Sequence, residues 1–214
     1  MKLPLLYPIL DVDCLATGCV PDALLRALCT HARALAEGGC TLMQYRAKNL
    51  NVREALVHAR ELRRLLPQAR LVMNDRADLC LAAGFDGVHV GQEDLSPEAV
   101  RGILGPGRII GFSTHNPAQL AEALTRPIDY VAIGPVFPTG SKAKADPVIG
   151  IEGVAAARRL LDDAGSKLPL VAIGGITRVN AESVLRAGAD SLAVIGDLSG
   201  TPRESARAFF RLMM

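Results

Sequence analysis

The sequence predicts a single-domain α/β chain, a closed (β/α)8 TIM barrel spanning residues 1–214, and three observations carry the prediction. Eight short β-branched runs alternate with eight helix-like stretches, at about 27 residues per unit, near the length of a strand–helix repeat. No Pro/Ser-rich linker or step in composition divides the 214 residues. The first strand–helix turn, Asp11-Val12-Asp13-Cys14, lacks the glycines that an open, dinucleotide-binding sheet requires.

The elements follow in order. Strands are expected near Leu5–Val12, Thr41–Arg46, Arg70–Asp75, Gly87–Gly91, Arg108–Ser113, Tyr130–Val136, Leu170–Gly175 and Ser191–Gly196. Helices are expected at Asp22–Glu37, Val52–Leu66, Ala77–Ala83, Pro97–Leu104, Pro117–Leu124, Glu152–Asp162, Asn180–Ala187 and Pro202–Met213. Pro97, Pro117 and Pro202 each stand where a first helical turn tolerates a missing N–H. Internal echoes support a repeated unit. Val131-Ala132-Ile133-Gly134 recurs as Val171-Ala172-Ile173-Gly174, and Asp86, Asp129 and Asp190 each stand just before a strand. Gly105, Gly107 and Gly111 precede or run through the fifth strand and read as turn and packing residues.

Composition narrows the function. The 24 basic and 22 acidic residues leave a net charge of +2, too small to attract a polyanion. With 4% aromatics and no tryptophan, a base-stacking surface is not expected, so nucleic acid is excluded as a partner. No run of 18 apolar residues occurs, so no membrane span is expected, and Leu3–Leu10 reads as a strand rather than a signal peptide. Five cysteines without CxxC spacing fit free thiols in a reducing cytoplasm.

In a barrel of this kind chemistry belongs to the carboxyl ends of the strands. Gln44, Arg46 and Lys48 end the second strand at period-two spacing, which puts an amide, a guanidinium and an ammonium on one face. A heterocyclic phosphate ligand suits that set; a solvated strand end is the alternative. Asn74-Asp75 ends the third strand, and Asp94 follows the fourth. Two carboxylates on adjacent strand ends can share one Mg²⁺ with phosphate oxygens and water, whereas helix capping is their structural alternative. His89 reads as a hydrogen-bonded barrel-interior imidazole rather than a general base. His31 and His58 are expected to face solvent, and His115 is given no role. Ser113 offers a hydroxyl at the end of the fifth strand. The loop from Pro138 to Pro147, with Thr139, Gly140, Ser141 and Lys142, is long for its position and suits an anion clamp. Gly175 and Gly196, after the last two strands, stand where such barrels bind phosphate through backbone N–H groups.

In order and position, these motifs resemble the thiamine-phosphate synthase family. The resemblance rests on Gln44-x-Arg46-x-Lys48, Asn74-Asp75, His89-x-Gly91-Gln92-x-Asp94, Gly111-x-Ser113, Gly134-Pro135, Pro138-Thr139-x-Ser141-Lys142 and Gly174-Gly175-Ile176. It implies a transferase that joins 4-amino-2-methyl-5-(diphosphomethyl)pyrimidine to a thiazole phosphate, or its carboxylated form, giving thiamine phosphate and pyrophosphate. By the same resemblance Gln44, Tyr45, Arg46, Ala47, Lys48, Asn74 and Lys142 would hold the pyrimidine diphosphate, with Asp75 and Asp94 on Mg²⁺. Ser113 would contact the pyrimidine, while Thr139, Gly140, Ser141, Gly175, Ile195 and Gly196 would receive the thiazole phosphate. Arg46, Lys48, Lys142 and Ser113 would carry the catalysis. Cys14 and Cys19 are taken not to touch ligand. Partners are then small molecules, and a homo-oligomer is admissible. A thiazole tautomerase of the same fold and a non-catalytic phosphate sensor are the rival readings; neither needs a cationic diphosphate site with a metal.

Overall fold

The computed structural model describes residues 2–15, 21–140 and 146–212. Eight strands close into one parallel barrel in chain order: β1 (Leu6–Asp11), β2 (Leu42–Arg46), β3 (Arg70–Asn74), β4 (Gly87–Val90), β5 (Ile109–Thr114), β6 (Tyr130–Ile133), β7 (Leu170–Ile173) and β8 (Ser191–Val194). Closure is made by β1 against β8, with Leu6, Tyr7 and Pro8 in register with Leu192, Ala193 and Val194. The helices are α1 (Val12–Leu15), α2 (Pro21–Glu37), α3 (Val52–Leu65), α4 (Ala77–Ala83), α5 (Pro97–Leu104), α6 (Pro117–Ala123), α7 (Gly150–Asp163), α8 (Ala181–Arg186) and α9 (Pro202–Leu212). A 3-10 turn at Gly196–Leu198 and the short α1 were not anticipated.

Local chemistry sets the boundaries. Asn51 and Asn116 cap α3 and α6 by accepting from Glu54 N and Gln119 N, at 3.0 and 2.9 Å. Ser96 caps α5 ahead of Pro97. Gly84, at φ 67°, ends α4 in a left-handed turn.

Alternation along the strands creates two apolar layers. The barrel interior holds Tyr7, Ile9, Leu42, Val72, Ile109, Tyr130, Ala132, Val171 and Ala193. The other face of each strand packs against the helices, as Leu10, Met43, Val88 and Leu192 do. His58 belongs to that outer layer. It is 6% exposed and lies edge-on to Tyr45, so the expectation that it faces solvent is wrong. His58 shares the buried stripe of α3 with Ala55, Ala59 and Leu62, and burial lowers its pKa.

The aspartates that precede strands form a repeated brace. Asp86 Oδ2 accepts from Leu71 N and from Arg63 Nη1, at 2.7 and 2.8 Å. Asp129 Oδ2 does the same for Ile110 N and Arg101 Nη2, at 2.8 and 2.7 Å. Asp190 Oδ2 accepts from Leu170 N at 2.8 Å and faces Arg158. Each carboxylate thus satisfies an amide at the start of the neighbouring strand and ties it to a helix. Asp129→Ala is expected to lower unfolding free energy by about 1–2 kcal/mol, because a charge-assisted bond to a backbone amide is lost. Urea denaturation measures it; an unchanged midpoint would remove the brace from the stability account.

Candidate active site

At the carboxyl end of the barrel lies a cavity of about 560 Å³, reached by Gln44, Arg46, Asn74 and Ser113 on one side and by Thr139, Gly175, Ile195 and Gly196 on the other. Its floor and walls are apolar residues of the interior layer, including Ile9, Ala132, Val171 and Ala193. A pocket of this size with a few convergent polar groups suits a small polar ligand.

β2 delivers Gln44 and Arg46 to the cavity through its alternation. Gln44 is 3% exposed and donates to Tyr7 Oη at 3.1 Å. Arg46 Nη1 lies 2.6 Å from Asp11 Oδ2 and 3.7 Å from Asp13 Oδ2. The Asp11 side chain is almost fully buried, so the pair fixes the guanidinium from behind and leaves its remaining donors for the cavity. The intervening residues do not follow. Tyr45 points to the outer layer against His58 and Phe85, and Ala47 packs against the same core. Neither side chain lines the cavity, as period-two geometry explains, since neighbours of inward residues face outward. Burial raises the Tyr45 phenol, and its hydroxyl lacks a partner among the described residues.

Lys48 Nζ sits 3.0 Å from Asp75 Oδ2. Asp75 has φ 60°, a left-handed conformation held by its own N–H donating to His89 O at 2.8 Å. The turn sends the Asp75 carboxyl toward that of Asp94, and Asp94 Oδ2 accepts from Gly91 N at 2.7 Å. Burial first, then Asp94, raise the Asp75 carboxyl above the usual carboxylate range. Two carboxyls this close hold a proton between them or a cation in its place. Among the described residues no cluster of three or more His, Cys, Asp or Glu side chains forms an all-protein metal cage. An all-oxygen pair beside an open cavity fits a hard divalent cation that takes its other ligands from phosphate and water.

Ser113 Oγ is 2.8 Å from His89 Nε2, and His89 is buried, as the reading of an interior imidazole requires. On the far side, the turns after β7 and β8 bring backbone to the cavity. Gly175 adopts φ 63°, and a Cβ there would stand 2.6 Å from Pro138 O and 2.7 Å from Phe137 Cβ. Only glycine fits. Gly196 opens the 3-10 turn, and Asp197 is held by Arg178 at 2.9 Å. Thr139 and Gly140 line the cavity, whereas Ser141, Lys142 and Cys19 fall outside the described residues.

Several residues at the cavity carried no expectation. Tyr7 lines it in the phase of β1 shared with Ile9 and Asp11, which their spacing of two could have revealed; Asp11 stands behind the cavity, against Arg46. His115 also lines it, with Nδ1 2.7 Å from Gly134 O and 3.6 Å from Asp146 Oδ2. Cys14, read from the sequence only as not touching ligand, lines the cavity as well. No local sequence signal distinguishes His115 or Cys14 from ordinary loop residues.

Comparison with known proteins agrees with the geometry. A family model described as thiamine monophosphate synthase matches residues 16–198. A thiamine-phosphate synthase from Koribacter versatilis is 52% identical over 214 residues, covering 100% of this chain and 97% of the relative. One from Chlorobium luteolum is 38% identical, over 98% of this chain and 93% of its own. Among solved structures, a thiamine phosphate pyrophosphorylase from Pyrococcus furiosus superposes with a TM-score of 0.81 at 34% identity, covering 97% of this chain and 94% of that one.

Proposed function

The chain belongs to the thiamine monophosphate synthase family, and from that premise we propose how its residues join an aminopyrimidine diphosphate to a thiazole phosphate. The function is that of a thiamine-phosphate synthase, a transferase. What supports the residue assignments is that Arg46 and Asn74 line the cavity on the side where Lys48 pairs with Asp75, and Asp75 with Asp94, just beyond its wall, while the glycine turns after β7 and β8 line the other side. One rim suits a diphosphate and the other a monophosphate. The whole chain then serves as one catalytic unit, acting in the cytoplasm on small molecules.

Asp75 and Asp94 would hold Mg²⁺. The cation would supply charge neutralisation for the diphosphate oxygens. Arg46 and Lys48, with Lys142 from the loop, place further positive charge where the leaving pyrophosphate gathers negative charge. The C–O bond between the pyrimidine methylene and the diphosphate breaks, and its electron pair leaves with pyrophosphate. The electron-rich aminopyrimidine spreads the resulting positive charge. The thiazole nitrogen then donates its lone pair to the methylene, forming the C–N bond. No protein nucleophile takes part, so the protein's work is alignment, electrostatics and exclusion of water by apolar walls such as Ile9 and Val171. Thr139, Gly140, Gly175, Ile195 and Gly196, with Ser141, orient the thiazole phosphate, largely through backbone N–H groups. A tautomerase or a phosphate sensor leaves the Arg46, Lys48 and carboxylate rim unexplained.

Calorimetry with inorganic pyrophosphate tests the division of the cavity. Binding is expected to tighten at least tenfold when Mg²⁺ is added; equal affinity with and without the cation would refute the metal-assisted diphosphate site. Gly175→Ala is expected to raise KM for the thiazole phosphate about tenfold or more, since its φ and its neighbours both reject a Cβ, while KM for the pyrimidine stays near wild type.

A further inference from the structure

A continuous hydrogen-bonded chain crosses the barrel interior beneath the cavity. Gln44 Nε2 lies 3.1 Å from Tyr7 Oη, and Tyr7 Oη lies 3.0 Å from Tyr130 Oη. Tyr130 Oη lies 2.9 Å from His89 Nδ1, and His89 Nε2 lies 2.8 Å from Ser113 Oγ. Five strands contribute one residue each. The space is built for it, because a Cβ at Gly111 would overlap the Tyr130 ring, its hydroxyl and His89 Nδ1. The His89 ring stacks on Tyr130 with centroids 5.5 Å apart.

The chain has a direction. An amide nitrogen only donates, so Tyr7 Oη accepts from Gln44 and passes its one proton toward Tyr130. Tyr130 in turn donates to His89 Nδ1, so the neutral imidazole carries its proton on Nε2 and gives it to Ser113 Oγ. Burial pushes the Tyr7 phenol up to about 12 and the Tyr130 phenol well above its ordinary value, so each keeps its single proton. At the two ends, both open to the cavity, Ser113 is left with an O–H to donate and Gln44 with Oε1 to accept.

We propose that this relay fixes the hydrogen-bond polarity of the cavity and thereby selects an aminopyrimidine over an oxopyrimidine, with His89 and Tyr130 as positioning residues. An aminopyrimidine offers a ring nitrogen that accepts and an amino group that donates, the complement of the two ends. An oxopyrimidine reverses both, presenting a carbonyl and a ring N–H, and so sets its carbonyl against Gln44 Oε1 and leaves the Ser113 O–H without a ring acceptor. The proposal rests on the reading that Gln44 and Ser113 face the pyrimidine.

The first test is ¹⁵N NMR of the histidine side chains in the full-length protein, with His89 assigned by His89→Gln. A pyridine-type Nδ1 and a pyrrole-type Nε2 are expected; a protonated Nδ1 overturns the proposal. The second compares the aminopyrimidine-methyl monophosphate with its 4-oxo counterpart as competitive inhibitors. Wild type is expected to prefer the amino compound by about 100-fold. Tyr130→Phe keeps the ring but breaks the relay, and the preference is expected to fall at least tenfold while KM for the thiazole phosphate stays within about twofold. A preference unchanged in Tyr130→Phe overturns the proposal even if activity drops, because a folding loss weakens both inhibitors' apparent binding alike. Should Ser113→Ala alter neither inhibition constant, the underlying placement of the pyrimidine fails, whatever tautomer His89 shows.

Discussion

Replacing Asp75 and Asp94 together with asparagine is expected to lower kcat by about 10³-fold or more and to abolish the response to Mg²⁺, with the fold intact. Asparagine is the informative choice. It tolerates the left-handed φ of 60° at Asp75, and at position 94 it still offers an oxygen to Gly91 N. Loss of activity then reports lost charge rather than backbone strain. Steady-state kinetics with Mg²⁺ titration, alongside circular dichroism, measure it; near-wild-type turnover would remove both carboxylates from the metal site. The pH dependence follows from the same pair. The Asp75 carboxyl titrates above the ordinary carboxylate range, and a cation must displace its proton. Apparent Mg²⁺ affinity is therefore full above that raised pKa and falls as the pH drops through it.

Arg46→Ala is expected to lower kcat/KM for the pyrimidine diphosphate by about 10²–10³-fold, by removing one positive group from the leaving-group side. It also leaves the buried Asp11 carboxylate without its guanidinium, which is expected to destabilise the fold by about 3–5 kcal/mol. Asp11→Asn separates the two effects. It spares the guanidinium but loosens its hold, so activity is expected to fall less than in Arg46→Ala. Denaturation and kinetics on both variants check this; an Arg46→Ala enzyme that is destabilised but fully active would make the residue purely structural.

The barrel was legible because its signals are local and repeated. β-branched runs mark each unit, and prolines open several of the helices, without knowledge of their neighbours. The strand-end residues Gln44, Arg46, Asn74 and Ser113 were legible for the same reason, since position at a strand's carboxyl end is itself a sequence property. For Tyr45 and Ala47 the block motif gives no side-chain direction: residues between two inward side chains point outward. His58 was misread because one helical histidine gives no sign of which face its helix buries. The partners were not legible at all. That Asp11 meets Arg46, that Asp75 meets Asp94, and that Tyr7, Tyr130 and His89 join across the barrel depends on register between strands far apart in the chain.

The most direct test of the whole account is a product assay. The purified protein is supplied with the aminopyrimidine diphosphate, the thiazole phosphate and Mg²⁺, and both products are quantified. Thiamine phosphate and pyrophosphate forming in equal amounts, and only with all three present, is the predicted result. Binding of the thiazole phosphate with no thiamine phosphate formed would contradict it.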